Sequence, residues 1–213
     1  MERIEDLQFL GLRIIQDSEL ACFSEDAVLL ANFIKAAPSD RVMDLGAGNG
    51  VISILAQGKT GAHFTGVEKQ KPLVDLAKRS AALNKQEIRF YEMDVQDAPD
   101  FFGHGSFSVV AANPPYYHEG ARAKNASRSL ARHGDTEVLD RFLLAAFLLL
   151  KNRGRLYICW PAEALADVIC ALRNKRLEPK RMTIVRQHFT LGLVLIEAVK
   201  LGGSGLTLEL MDP

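Results

Sequence analysis

Cysteine is scarce in this sequence: the three present, Cys22, Cys159 and Cys170, are odd in number and stand at no spacing that would clamp a metal. A disulfide framework and a structural metal are therefore not expected to organise the fold, and reduced interior thiols are. Long apolar runs are missing too. The longest, residues 142–150, falls well short of the about 20 residues a membrane-spanning helix needs, and no basic-then-apolar leader opens the chain. A cytoplasmic protein with no membrane attachment is the expectation. Charge of one sign is not in excess, since 26 basic side chains balance 26 acidic ones. That balance argues against the indiscriminate nucleic-acid binding of a polycation and leaves local patches open. Repeats, low-complexity tracts and linkers are also lacking. With 213 residues, 48% of them hydrophobic, the chain reads as one domain over 1–213 with a substantial core and no obligate protein partner.

What is present is alternation. Ser24 stands where it can cap a helix reaching about Ala37, with Glu25 and Asp26 in the favoured acidic first turn. Apolar strand candidates near 41–45, 62–67, 87–92 and 106–112 then alternate with helix candidates near 50–58 and 70–84. This pattern predicts a parallel sheet with right-handed crossovers, whose ligands gather at the carboxyl ends of the strands. Further along, 138–150 reads as a buried helix, 155–160 as a strand and 161–174 as another helix. Strand candidates at 181–187 and 191–200 are close enough to form a hairpin, which makes one strand antiparallel. The expected α/β architecture is a seven-stranded, mostly parallel, Rossmann-like sheet. Residues 1–23 stand outside the alternation, and Leu7, Phe9, Leu10, Leu12, Ile14 and Ile15 suit a small strand pair covering the sheet.

Chemistry-bearing residues fall at the expected strand ends. Asp44-Leu45-Gly46-Ala47-Gly48-Asn49-Gly50 follows the first parallel strand, and its glycines allow a tight turn to approach a ligand while the next helix presents its amides. Glu68 closes the following strand, at the distance where an acid accepts hydrogen bonds from ribose hydroxyls, and Asp94 stands in the same relation to the third strand. A nicotinamide dinucleotide would use a similar pair. Here, however, the spacing is G-x-G-x-G, and Asp44 would repel a pyrophosphate. S-adenosylmethionine, with a sulfonium and an ammonium and no phosphate, fits better.

Asn113-Pro114-Pro115-Tyr116 follows the apolar run 107–112. A side-chain amide and a neighbouring carbonyl can each accept one hydrogen of a planar NH2 group, and the two prolines remove backbone donors. Tyr116 offers a flat face for a base. A Pro-Pro turn ending a strand is the plainer alternative, but its position in line with the glycine turn favours methyl transfer to an amine.

These features together resemble the class I S-adenosylmethionine-dependent methyltransferases. More narrowly, the chain resembles the bacterial tRNA (adenine-N6)-methyltransferases acting on adenine 37 in the anticodon loop of a valine tRNA. The resemblance covers nearly the whole chain and is carried by four stretches: 6–16, Phe23-Ser24-Glu25-Asp26 with 27–31, the glycine turn, and Asn113 to Tyr117. It implies S-adenosylmethionine as cofactor and tRNA as substrate. The implied cofactor residues are Phe23, Ser24 and Asp26 at the methionine end, with Asp44, Gly46, Ala47, Gly48, Gly50, Glu68, Asp94 and Asn113. The implied catalytic residues are Asn113, Pro114, Pro115 and Tyr116, and no metal. Basic side chains at Arg122, Lys124, Arg128 and Arg132, on a stretch that reads as a loop, together with Tyr117, are candidates for RNA contact, although a solvated face is the plainer reading. A second cluster, Arg173, Lys175, Arg176, Lys180, Arg181 and Arg186, stands near the end of the sheet. The segment between the last two strands, 186–192, is shorter than in relatives, so the resemblance supports the tRNA contacts less firmly than the chemistry. Rival acceptors for the same tetrapeptide are a protein glutamine amide and DNA adenine. A non-catalytic RNA-binding protein is the rival from another class.

Overall fold

The structure, a computed structural model, describes residues 1–20, 24–116, 128–187 and 190–211, without the side chains of 128–135, 187, 190 and 191. Strands β1 (Glu2–Asp6) and β2 (Arg13–Asp17) pair antiparallel, with Asp6 opposite Arg13, as a separate two-stranded sheet. Leu7, Leu12 and Ile14 are buried. The expected small strand pair is thus present, and its backbone is tied to a helix: Arg13 N–H donates to Asn84 Oδ1 at 2.8 Å and Ile15 N–H to Ser80 Oγ at 2.9 Å.

Helix α1 (Glu25–Phe33) begins after Ser24, whose backbone is extended as an N-cap requires but whose side chain makes no capping bond. It ends four residues short of the expected Ala37. Carbonyls at its end and just beyond it are claimed by tertiary partners: Arg181 donates to the Phe33 carbonyl at 2.9 Å and the Tyr157 hydroxyl to that of Lys35 at 3.0 Å. Ile34, in extended conformation, turns its side chain fully into the core.

The chain then alternates through β3 (Arg41–Leu45), α2 (Val51–Thr60), β4 (His63–Glu68), α3 (Lys71–Leu83), β5 (Arg89–Glu92), α4 (Ala98–Phe102) and β6 (Phe107–Ala112). It continues with α5 (Arg128–Leu149), β7 (Leu150–Pro161), a single 3-10 turn (Ala162–Ala164), α6 (Leu165–Asn174), β8 (Leu177–Gln187), β9 (Thr190–Lys200) and β10 (Thr207–Met211). The sheet order is β10-β8-β9-β7-β6-β3-β4-β5, and β9 alone among these strands runs antiparallel to its neighbours. Eight strands stand where seven were expected. The addition, β10, lies parallel to β8 at the edge with all five residues exposed, so no buried face marked it in the sequence. Helix α5 starts ten residues earlier than expected and takes Arg128 and Arg132 out of the supposed loop. The short α4 was not expected at all.

Successive strand residues point to opposite faces, and each face is covered by helices. Val42, Phe64, Phe90 and Tyr157 pack with Leu30, Ile54 and Val74, while Met43, Val67, Val110 and Leu156 pack with Leu143, Leu149 and Leu172. Burying one such side chain contributes about 1.5–3 kcal/mol. Register decides where the loops meet. Leu45 pairs with Val67 on one side and with Ala112 on the other, so the segments after β3, β4 and β6 leave the sheet side by side.

Candidate active site

Past Leu45 the backbone turns through Gly46, Gly48 and Gly50, all left-handed with φ of +70°, +56° and +89°. The amides of Gly46 and Ala47 both donate to the Val67 carbonyl at 2.9 Å, which ties the turn to β4. Glu68 closes β4, and its carboxylate accepts Gly48 N–H at 3.2 Å and Gln70 N–H at 2.8 Å, one on each oxygen. Each carboxylate oxygen has two lone-pair directions, so Glu68 is oriented by backbone and can still accept from hydroxyls.

Asp44 lies fully buried beside this turn. Its Oδ2 accepts the Ser53 hydroxyl at 2.7 Å, whereas Oδ1 is enclosed and has no hydrogen-bond partner among the described residues. Burial, reinforced by the nearby Glu68 charge and opposed by the Ser53 bonds, raises its pKa from 3.8 to about 7. A buried carboxylate oxygen without a donor is suited to a ligand that brings a positive charge.

A cleft of about 420 Å³ opens over the turn. Of the residues singled out from sequence, Ser24, Asp26, Gly46, Ala47, Gly48, Glu68, Asp94 and Asn113 through Tyr116 line it. Asp44 and Gly50 do not, and stand behind the lining. A Cβ at Gly50 would come within 2.9 Å of the Phe90 ring, so that glycine answers to packing, whereas a Cβ at Gly48 would meet nothing within 4 Å. Phe23, Tyr117, Arg122 and Lys124 lie outside the described residues, and for Arg128 and Arg132 the backbone alone is described. The sequence reading missed the lining residues Asn49, Lys69, Gln70, Met93 and Val95, each within two positions of a residue it had named. It also missed Val138, Arg141 and Phe142 of α5, for which no local signal exists. The Phe142 ring stands 3.1 Å from where a Gly46 Cβ would be.

The tetrapeptide leaves β6 at the cleft. Asn113 is half-buried, Pro114 buried and Pro115 exposed. Asn113 Oδ1 accepts the Cys159 thiol at 2.7 Å. The Tyr116 hydroxyl donates to the Asp26 carboxylate, which ties the start of α1 to the tetrapeptide, and its ring meets Trp160 edge-on at 5.7 Å between centroids. Burial pushes the phenol pKa of Tyr116 far up. Oxygen acceptors thus gather where both prolines lack N–H donors, which suits an incoming NH2 group.

A mostly parallel sheet with an acid-flanked glycine turn and an acceptor-lined cleft at its carboxyl edge defines a class I S-adenosylmethionine-dependent methyltransferase. Residues 21–173 match the methyltransferase small domain family, and the chain belongs to it. S-adenosylmethionine is accordingly its methyl donor. The chain is 26% identical over 160 residues to a protein of Phocaeicola vulgatus, covering 75% of this chain and 68% of that one. It is 29% identical over 170 residues to one of Porphyromonas gingivalis, covering 76% and 67%. A third relative, from Aliivibrio fischeri, is 30% identical over 136 residues, covering 62% and 56%. All three are named tRNA1(Val) (adenine(37)-N6)-methyltransferase. The chain thus spans about two thirds of the first two and little more than half of the third. Among solved structures, a protein of Agrobacterium tumefaciens described as a predicted O-methyltransferase superposes with a TM-score of 0.67 at 23% identity, covering 88% of this chain and 86% of that one. TrmN from Thermus thermophilus gives 0.66 at 22%, covering 82% and 48%. These two likenesses concern the fold. Among the described residues no helix is long and apolar enough to cross a membrane.

Proposed function

We propose that this chain methylates the exocyclic N6 amine of adenine in tRNA, at position 37 of the anticodon loop, as the names of its relatives indicate. The observation that carries the reading is Asn113-Pro114-Pro115-Tyr116 on the wall of the same cleft as the glycine turn and Glu68. Glu68 would accept from the ribose hydroxyls of the cofactor, Asp94 would lie toward its adenine, and Asp44, behind Gly46, Ala47 and Gly48, would favour its positive charge. Ser24 and Asp26, with Phe23, would flank the methionine end. S-adenosylmethionine supplies a methyl group made electrophilic by its sulfonium.

The chain's own work is on the amine. Adenine N6 is a poor nucleophile because its lone pair is delocalised into the ring. Asn113 Oδ1 and the Pro114 carbonyl would accept its two hydrogens and draw the nitrogen away from planarity, which frees the lone pair. Most of the acceleration then comes from positioning and preset dipoles rather than from a strong base. Tyr116 would support the base from the cleft wall. An anticodon-loop adenine is already unpaired, so presenting it costs less than flipping a base from a duplex.

Helix α5 supports an RNA path out of the cleft. Its Val138, Arg141 and Phe142 line the wall, and its first turns carry Arg128 and Arg132. With Tyr117, Arg122 and Lys124 these would meet loop phosphates. Incubation of the protein with labelled S-adenosylmethionine and unmodified total tRNA, then nucleoside analysis, tests the reading. Label in N6-methyladenosine is expected. No label in tRNA from a protein that binds S-adenosylmethionine would overturn it and turn attention to protein glutamine amides and DNA.

A further inference from the structure

Cys159 belongs to no motif, yet it makes a hydrogen bond to the side chain on which the proposed chemistry depends. Ala112 of β6 pairs with Ile158 of β7, so Asn113 emerges beside Cys159, and the buried thiol lies 2.7 Å from Asn113 Oδ1. We propose that Cys159 is a positioning residue for methyl transfer, donating to Asn113 Oδ1 and thereby holding the amide with its oxygen, and not its NH2, available to the target amine. This inference rests on the function proposed above.

The reason is the near-symmetry of the asparagine amide. Oxygen and nitrogen are nearly the same size, and turning the group over exchanges an acceptor for a donor. With the NH2 toward the substrate, donor would face donor and the amine would be repelled. A neighbour that donates and hardly accepts removes that alternative, because a carbonyl oxygen takes two hydrogen bonds whereas a flipped NH2 would be left against an S–H. A thiol does this only while protonated. Burial and the nearby Asp26 carboxylate raise the Cys159 pKa well above its ordinary value, so the proton stays in place. Alanine would remove the donor and leave the amide free to turn.

The experiment compares Cys159→Ala, which removes the donor, with Cys159→Ser, which restores one, each alone and with Asn113→Ala. Steady-state transfer to tRNA gives kcat and KM, and calorimetric titration with S-adenosylmethionine reports that the cofactor site is intact. The expected result is a kcat lowered roughly three- to tenfold in Cys159→Ala. KM for tRNA and cofactor affinity should stay within about twofold of wild type. Cys159→Ser should recover most of the loss, and in the Asn113→Ala background Cys159→Ala should have no further effect. The proposal is overturned by a Cys159→Ala kcat within about twofold of wild type, or by a serine variant that binds cofactor yet is as slow as the alanine one. A loss that persists in full without the Asn113 amide overturns it as well. If wild-type protein labels a glutamine peptide or DNA instead of tRNA, the function reading fails separately. The same variants are then compared on that acceptor, since the need for an oriented amide is common to every planar NH2.

Discussion

Replacing Asp44 by asparagine isolates the buried carboxylate beside the glycine turn. Its pKa is raised from 3.8 to about 7, with burial the largest cause and the Glu68 charge adding to it. The folded protein therefore binds more protons at this group than the unfolded chain does between those values. Stability from this group is full below the unfolded pKa and is lost as pH rises through the folded one. Each pKa unit is worth about 1.4 kcal/mol, so going from about pH 5 to about pH 8 removes about 2–3 kcal/mol from the wild type through Asp44. Asp44→Asn keeps an oxygen to accept the Ser53 hydroxyl and has no charge to lose. Urea unfolding of ligand-free protein at several pH values should show the variant gaining on the wild type by that amount across the range. Groups common to both proteins cancel in the comparison. A stability difference that does not change with pH would refute the reasoning, since it would mean that Asp44 is not held protonated by burial. The same charge should act in binding. Wild-type affinity for S-adenosylmethionine is expected to rise as pH passes through about 7, whereas Asp44→Asn should bind roughly tenfold more weakly at alkaline pH and respond little to it.

Asn113→Ala should lower methyl transfer by roughly 10² or more at unchanged cofactor affinity, checked by single-turnover transfer and calorimetry. Gly50→Ala should destabilise the fold by about 2 kcal/mol or more, measured by urea unfolding, because φ is +89° there and the new Cβ would meet the Phe90 ring at 2.9 Å. Neutralising Arg122, Lys124 and Arg128 together should weaken tRNA binding and flatten its dependence on salt by up to about one unit of slope per lost phosphate contact. An unchanged slope would place the RNA path elsewhere.

Much of the fold was legible because its signals are local. Short apolar strands alternate with helices, and the glycine turn, Glu68, Asp94 and Asn113 each stand at or just past the carboxyl end of a strand, so a parallel sheet had to bring them to one edge. Elements without a local mark were missed. All residues of β10 are exposed, so its strand character rests on pairing with β8. The stretch from Arg128 is polar enough to read as a loop, yet α5 begins there, since helix propensity yields readily to tertiary context. The early end of α1 depends on Arg181 and Tyr157 capturing carbonyls from more than a hundred residues away.

The candidate site divides along the same line. The residue types needed for a cofactor turn and an amine-accepting tetrapeptide are contiguous in the chain, and their chemistry could be read there. Whether a named residue faces the ligand could not, because facing depends on what packs behind it. Asp44 is turned inward to Ser53, and Gly50 is required by Phe90. Phe142 reaches the cleft from a distant helix, and Cys159 meets Asn113 only because β6 and β7 are in register. A strand end specifies a position in the sheet. Which side chains meet there is decided by crossover and register, which bring together segments whose separation in sequence carries no trace of the contact.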